Sequence, residues 1–419
     1  MQKNIEMKYN RRIFPIYKGL AWDPLFYGAI IILFLTEVKG IEISKIMYAE
    51  SLYAFFLLIF QLPASIIIER IGSRKSLILG CTLVTIQIAM MMIAKNFTFL
   101  VLAYSFSAFG TAIKETAQYT LLYDSTNLCK GKNSFENVDA KGSSVSYIFN
   151  ATSSVMAGYL YIVNPYLPIT LSSIVSLITV VISFRFEELH EKNQKRITMA
   201  ESLKELKQGL RFIAQSKRLR ALLLFIAFFS GILIMVCTYE KSLLQDLNVG
   251  SQYFGIIFAI LTLLQCFSVQ YQDKIHNKFK NKTLAFLAIP IFTSFIFIGL
   301  INFAGSNKFI IISIIIIAFF VQHFLRAPYW VLQNKYVTNF TNSDIRTKIL
   351  SATEIIEGIG RIIFSFLGGL LLEYYNTSQS YAIMGIAGMI ILFFILKYMK
   401  KRVGLSPEEY NKKDIEYIN

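Results

Sequence analysis

Glu69-Arg70-Ile71-Gly72-Ser73-Arg74-Lys75 is a short charged interruption between two apolar runs, 45–68 and 75–95. Each run is close to the ~20 residues that a helix needs to cross hydrocarbon at ~1.5 Å per residue. The connection is too short for anything but a reversal at a polar surface, so the stretch 45–95 reads as a membrane-spanning helical hairpin. Arg70, Arg74 and Lys75 place the turn on the cytoplasmic side, where loops collect Lys and Arg. That rule accounts for the bases but not for Glu69 or Gly72. A carboxylate at the mouth of a span can bind bases or the positive N-terminus of a neighbouring helix.

Working outward from this hairpin, the same alternation fills the chain. Further apolar runs lie at 15–37, 97–121, 142–163 and 167–185, then at 219–240, 251–271, 283–303, 308–331, 349–373 and 381–399. Backbone groups in lipid must be bonded within their own segment, so these runs are helices. The expected fold is an all-α membrane protein of twelve transmembrane helices in two pseudo-symmetric six-helix bundles. Composition agrees: 55% of the 419 residues are hydrophobic and 16% charged, against about a quarter charged in ordinary soluble domains. The N-terminal run is too long for a signal-peptide core and is expected to stay attached.

A net charge of +16 suggests nucleic acid in a soluble chain, but topology explains it here. With the N-terminus inside, only Lys39, Lys45, Lys95, Lys241 and Lys308 of the 42 Lys and Arg fall outside, and Lys114 and Arg361 lie inside spans, away from the cytoplasmic ends where the other bases gather. This asymmetry places both termini in the cytoplasm of a cell (inner) membrane protein. The domains expected are a bundle over 1–186, a cytoplasmic linker over 187–218, a second bundle over 219–400 and a tail over 401–419. Within the linker, Thr198 and Glu201 have capping-box spacing. Met199, Leu203, Leu206, Leu210 and Ile213 form an apolar stripe with Lys204, Lys207 and Arg211 off it. Such a helix is expected to rest on the membrane surface.

The halves echo one another. Asp273-Lys274-Ile275-His276-Asn277-Lys278 follows span eight as Glu69–Lys75 follows span two, and Lys348-Ile349-Leu350-Ser351 matches Lys141-Gly142-Ser143-Ser144 more faintly. Two parallel repeats imply a pseudo-twofold along the membrane normal.

At these residues the chain resembles the major facilitator superfamily. That family's loop motif runs Gly, three residues, Asp, Arg, any residue, Gly and a basic pair. Ser65 stands for the first Gly and Glu69 for the Asp, while Arg70 and Gly72 match. Arg74 and Lys75 supply the bases after one inserted residue, Ser73. The resemblance implies secondary transport by alternating access, with Glu69, Arg70, Gly72, Arg74 and Lys75 as a cytoplasmic gate latch. It also implies that spans one, four, seven and ten line a central cavity. Two departures stand out. Phe106 occupies the place of the span-four Arg of many exporters, and Ser153-Ser154 with Ala157-Gly158 replace the Gly-Pro and Gly-Gly of proton-driven exporters.

Charges inside spans cost roughly 2.5–3.5 kcal/mol each on insertion scales and therefore mark candidate sites. Asp23 sits in Trp22-Asp23-Pro24, where Pro24 breaks the helix. Lys114 and Glu115 lie in span four, with Glu115 sharing a polar face with Thr111 and Gln118. Glu354, Glu357 and Arg361 lie on one stripe of span eleven, Glu357 and Arg361 at i,i+4 spacing. These six are the expected substrate- and proton-binding residues, with Glu354 or Asp23 as proton carrier. His323 and Arg326 are read near the cytoplasmic end of span ten, Arg326 snorkelling to the surface. Glu37, Glu50, Glu240 and Glu373 are read at external ends within reach of water. Tyr27, Tyr53, Tyr104, Tyr119, Tyr147 and Tyr329 are candidates for a cavity lining that suits flat or amphiphilic solutes.

Cys81, Cys129, Cys237 and Cys266 have no metal-ligand spacing. There is no phosphate loop, zincin motif or nucleophile–base arrangement. No cofactor, metal or nucleic acid is expected, and the chain is not read as an enzyme. The expected partners are a small-molecule substrate, protons and membrane lipid, and the expected state is a monomer. The favoured function is proton-coupled export of an amphiphilic neutral or cationic molecule. The alternatives are a proton-coupled importer of a sugar, peptide or organic acid, and a non-transporting sensor or assembly partner.

Overall fold

The computed structural model describes residues 2–126, 134–188, 199–303, 308–341 and 343–402. Every regular element among them is helical. In chain order they are α1 (Gln2–Leu20), α2 (Ile31–Leu33, continued by a π-helical turn over Phe34–Val38), α3 (Ile43–Ile71), α4 (Ser73–Ile93), α5 (Phe97–Thr126), α6 (Phe135–Val163), α7 (Leu167–Ser183), α8 (Met199–Gln215), α9 (Lys217–Asp246), α10 (Ser251–Val269), α11 (Gln272–Phe279), α12 (Thr283–Gly299), α13 (Lys308–Asn339), α14 (Ser343–Tyr374) and α15 (Thr377–Arg402).

Twelve membrane spans account for this order. Eight helices, α3, α4, α5, α9, α10, α13, α14 and α15, are long and apolar enough to cross a bilayer by themselves, and α11 with α12 makes a ninth if that bent pair is one span. The other three depart from a plain apolar rod for reasons visible in their residues. Span one is interrupted at 21–30. Span five, within α6, is rich in Ser, Asn and Thr. Span six is the shorter apolar helix α7. Helix α8 is the expected linker helix. Its Glu201 is in the first turn, whereas Thr198 lies outside the described residues.

The chain folds as two compact units: Met1–Ser202 with Asn248–Ile260, and Leu203–Leu247 with Leu261–Asn419. The division falls inside α8 instead of at 186 and 219, and the first half of α10 groups with the first unit. Small residues explain that grouping. Gly255 meets the backbone at Ser154 and Gly158 meets the backbone at Ser251, so α10 and α6 touch without side chains between them.

Within the first unit α1 packs on α6, and α4 packs on α5 and α7; within the second α9 packs on α14, and α12 packs on α13 and α15. These are spans 1–5, 3–4 and 3–6, then 7–11, 9–10 and 9–12, so these three pairings recur six spans later. The first core gathers Phe14, Tyr17, Ile68, Leu77, Cys81, Leu121 and Phe186. The second is aromatic, with Phe229 lying 4.7 Å edge-on to Tyr329. A Cβ on Gly80 would lie 2.7 Å from Lys114 N, and one on Gly231 2.7 Å from Gly360 C. Glycine thus lets α4 reach α5 and α9 reach α14 at backbone distance.

Candidate functional site

Span one is built around missing backbone bonds. Pro24 has no N–H to offer Leu20, and the amide of Leu25 turns to Trp22 O (3.2 Å) instead of Ala21 O. Carbonyls so released inside a membrane need other donors. Thr179 Oγ1 donates to Leu20 O at 3.3 Å, Lys114 Nζ donates to Ala21 O at 2.9 Å, and Ser172 Oγ donates to Leu25 O. Phe26 takes a left-handed conformation (φ 63°) and the amide of Gly28 bonds back to Pro24 O at 2.7 Å.

Into this break comes the ion pair of Lys114 with Asp23, whose other oxygen accepts from Thr111 Oγ1 at 3.5 Å. The lysine is buried and the aspartate half-buried. A cavity of about 10 Å³, room for roughly one water, adjoins the pair and is lined also by Cys81, Ser176 and Thr179. The polar face expected on span four is divided. Thr111 serves Asp23, while Gln118 donates to Glu115, which is half-buried on the next side of α5. Asp23, Lys114 and Glu115 are therefore brought together.

In the second unit the span-eleven stripe joins a hydrogen-bonded chain. Gln333 Nε2 donates to Glu357 Oε1 at 2.8 Å, Ser230 Oγ donates to Gln333 Oε1 at 3.2 Å, and Ser230 and Tyr329 hydroxyls meet at 2.8 Å. Arg361 lies one turn beyond Glu357, and its buried Nε has no hydrogen-bond partner among the described residues. Glu354 is exposed.

A further cluster corrects two expectations. Span seven does not end at Glu240. Helix α9 continues to Asp246, and Glu240 is 1% exposed rather than at a wet end. Span ten likewise continues to Asn339 straight through Pro328, so His323 and Arg326 are at mid-helix and Arg326 does not snorkel. His323 Nε2 lies 3.0 Å from both oxygens of Glu240, and its Nδ1 lies 2.7 Å from Gln265 Nε2. Arg326 donates to Cys237 Sγ. The signal available in the sequence was the pairing of a span-seven acid with a span-ten base, the counterpart of Asp23 with Lys114.

At the Glu69–Lys75 turn, Gly72 ends α3 with φ 91°, a conformation that favours glycine. The carboxylate of Glu188 then caps α4, accepting from Ser73 N (3.2 Å) and Arg74 N (2.8 Å). Arg74 Nη2 donates to Phe184 O at 2.6 Å. A Cβ on Gly72 would stand 2.8 Å from Glu188 Oε2, so close approach also selects glycine. Arg70 and Lys75 are exposed and Glu69 is half-buried. Together with Arg70, Arg74 and Lys75, Phe184 and Glu188 line an open groove of about 470 Å³. Sequence reasoning passed over Glu188 because it falls after span six, far from the motif in the chain.

The Major Facilitator Superfamily family model matches residues 23–317. The chain is 22% identical over 409 residues to an uncharacterized MFS-type transporter, YxaM of Bacillus subtilis (strain 168), covering 92% of this chain and 95% of that one. Its fold is similar to that of the nucleoside transporter NupG (TM-score 0.69, 12% identity, 96% of this chain and 100% of that chain). It is also similar to a D-xylose-proton symporter (TM-score 0.69, 11% identity, 98% of each chain). A POT family transporter in complex with 5-aminolevulinic acid follows, at TM-score 0.65 and 13% identity over 96% of each chain.

Proposed function

Because the chain belongs to the Major Facilitator Superfamily and is a multi-pass membrane transporter, not an enzyme, we propose that it drives solute movement with protons, exporting an amphiphilic neutral or cationic small molecule. The observation that carries this reading is the buried Asp23–Lys114 pair set into the break of span one. An ion pair in a low-dielectric interior is strongly coupled to its surroundings. Binding a proton or a cationic group at Asp23 competes directly with Lys114. The charge balance supports the choice of cargo. Within the spans, the acids Asp23, Glu115, Glu240, Glu354 and Glu357 outnumber the bases Lys114, Arg326 and Arg361, which disfavours a strongly anionic solute. Cytoplasmic termini, and the Glu69–Lys75 turn acting with Glu188 as gate latch, belong to the same proposal.

Proton-linked import is a second reading. It is favoured by Phe106 and Ser153-Ser154 standing where exporter motifs would be, and by the likeness to a D-xylose-proton symporter.

Purified protein in vesicles under an imposed pH gradient separates the two. Export predicts uphill movement of a lipophilic cation such as tetraphenylphosphonium against proton flow, reduced at least about tenfold by Asp23→Asn, a loss of at least ~1.4 kcal/mol in transition-state stabilisation. Import predicts accumulation of a neutral sugar or nucleoside with protons. Cation movement unaffected by Asp23→Asn removes the assignment of Asp23.

A further inference from the structure

Equivalent spans of the two units are joined by an acid–base pair: Asp23 with Lys114 across spans one and four, and Glu240 with His323 across spans seven and ten. The bases differ in chemistry. An imidazole can take up or release a proton near neutral pH, whereas an ammonium ordinarily keeps its charge.

The hydrogen bonds identify the atom that takes the proton. With the amide nitrogen of Gln265 turned toward the ring, Nδ1 of His323 is its acceptor in the matching tautomer. The ring hydrogen is then on Nε2, which donates to the carboxylate of Glu240. His323 in this tautomer is neutral, and Arg326 offsets Glu240, with Lys241 a further cation acting on the same carboxylate. A proton arriving on Nδ1 needs an acceptor where Gln265 now presents a donor. Half a turn of the amide supplies it, since Gln carries an oxygen and a nitrogen on one plane. His323 and Arg326 are then two cations on α13 beside one carboxylate, and Arg326 is the one free to leave.

We propose that His323 Nδ1 is a proton-binding site of the second unit, with Gln265 as a reversible amide that serves either protonation state and Arg326 as the group displaced by the added charge. The proton comes from water and returns to it, and Nε2–H stays on Glu240 throughout. Among the described residues, four charged or titratable groups act on Glu240. His323 and Arg326 come from α13, Lys241 from α9, and Tyr381 from α15. Cys237 on α9 receives Arg326 now. Tyr381 is fully buried, with a hydroxyl that has no hydrogen-bond partner among the described residues. That hydroxyl is a spare donor beside the carboxylate when Arg326 moves. This inference rests on the proton-linked reading above but not on cargo or direction.

The chain has three histidines, so His190→Gln with His276→Gln leaves His323 as a single isotope-labelled reporter without touching the cluster. In that otherwise complete protein, ring ¹⁵N and ¹³C shifts are expected to show the Nε2–H tautomer at pH 8.5 and the doubly protonated ring at pH 5.5. Glu240→Gln should move the midpoint by about one pH unit or more, the scale of a charge partner within ~4–6 Å. A ring fixed in one state from pH 5 to 9, an Nδ1–H tautomer at high pH, or a midpoint indifferent to both Glu240→Gln and Gln265→Glu overturns the proposal. The titration needs no transported solute. A titrating His323 in vesicles that show no proton-linked flux would sink the transport reading alone.

Discussion

Pro24 does its work by what it lacks. Three released carbonyls in span one are recovered by Thr179, Lys114 and Ser172, and the lysine that recovers one of them also meets Asp23. Removing one partner of such a buried pair leaves the other charge uncompensated, which costs about 3–5 kcal/mol. Asp23→Ala is therefore expected to destabilise the detergent-solubilised protein by that amount in denaturant unfolding. The double variant Asp23→Leu with Lys114→Met should recover most of the loss. Full additivity of the two single variants would show that the pair does not interact. Gly72→Ala places a Cβ at φ 91° against Glu188, a strain of about 1–3 kcal/mol. It is expected to lower thermal stability, whereas Ala at the exposed Arg70 should not. Asp23 was legible in the sequence because a proline follows it. Glu240 was not, because an acid near the end of an apolar run looks the same whether its helix stops there or runs on to Asp246.

Helix ends were the least legible elements, for a physical reason. Hydropathy reports where the hydrocarbon stops, while a helix stops where its hydrogen bonds do. Helices α13 and α14 each run for 32 residues, well past their apolar stretches, and the extension of α14 carries the contacts of the linker helix. Lys348 Nζ donates to Gln208 Oε1 at 2.7 Å, and Gly209 meets the backbone at Lys348. The apolar stripe of α8 is accordingly shared out. Ile213 is buried while Leu203 and Leu210 are exposed, so the helix docks on α14 through its glycine side as well as presenting leucines outward. Gly209→Leu is expected to lift α8 from α14. A short bifunctional thiol linker between Gln208→Cys and Lys348→Cys should then fall in yield at least about fivefold, an undocking of roughly 1 kcal/mol or more. Unchanged cross-linking would mean that α8 is held elsewhere.

Across the whole molecule, the repeat was readable from a few charged residues because each turn joins the second and third spans of its half and meets the same constraint. The recurrence of span pairings from one unit to the other follows from that repeat. What pattern reasoning could not supply is which distant side chains close each pair, since Gln265, Gln333 and Glu188 look ordinary in their own neighbourhoods. Topology has a direct check. With single cysteines in an otherwise cysteine-free chain, Lys274→Cys should react with an impermeant maleimide only in inverted vesicles, and Lys95→Cys only in intact cells. Labelling of both from one side would refute the alternation of spans.

The interruption at 21–30 has a mechanical consequence. A continuous α-helix resists bending along its whole length, but here two stiff arms, α1 and the segment from Ile31, meet at an elbow pinned by side chains that rotate about single bonds. Tilting one arm reorients Lys114, Thr179 and Ser172 and loads a few isolated turn bonds such as Gly28 N to Pro24 O, with no continuous helical ladder to tear. Leverage applied at α1 can therefore reach Asp23 without unfolding either arm.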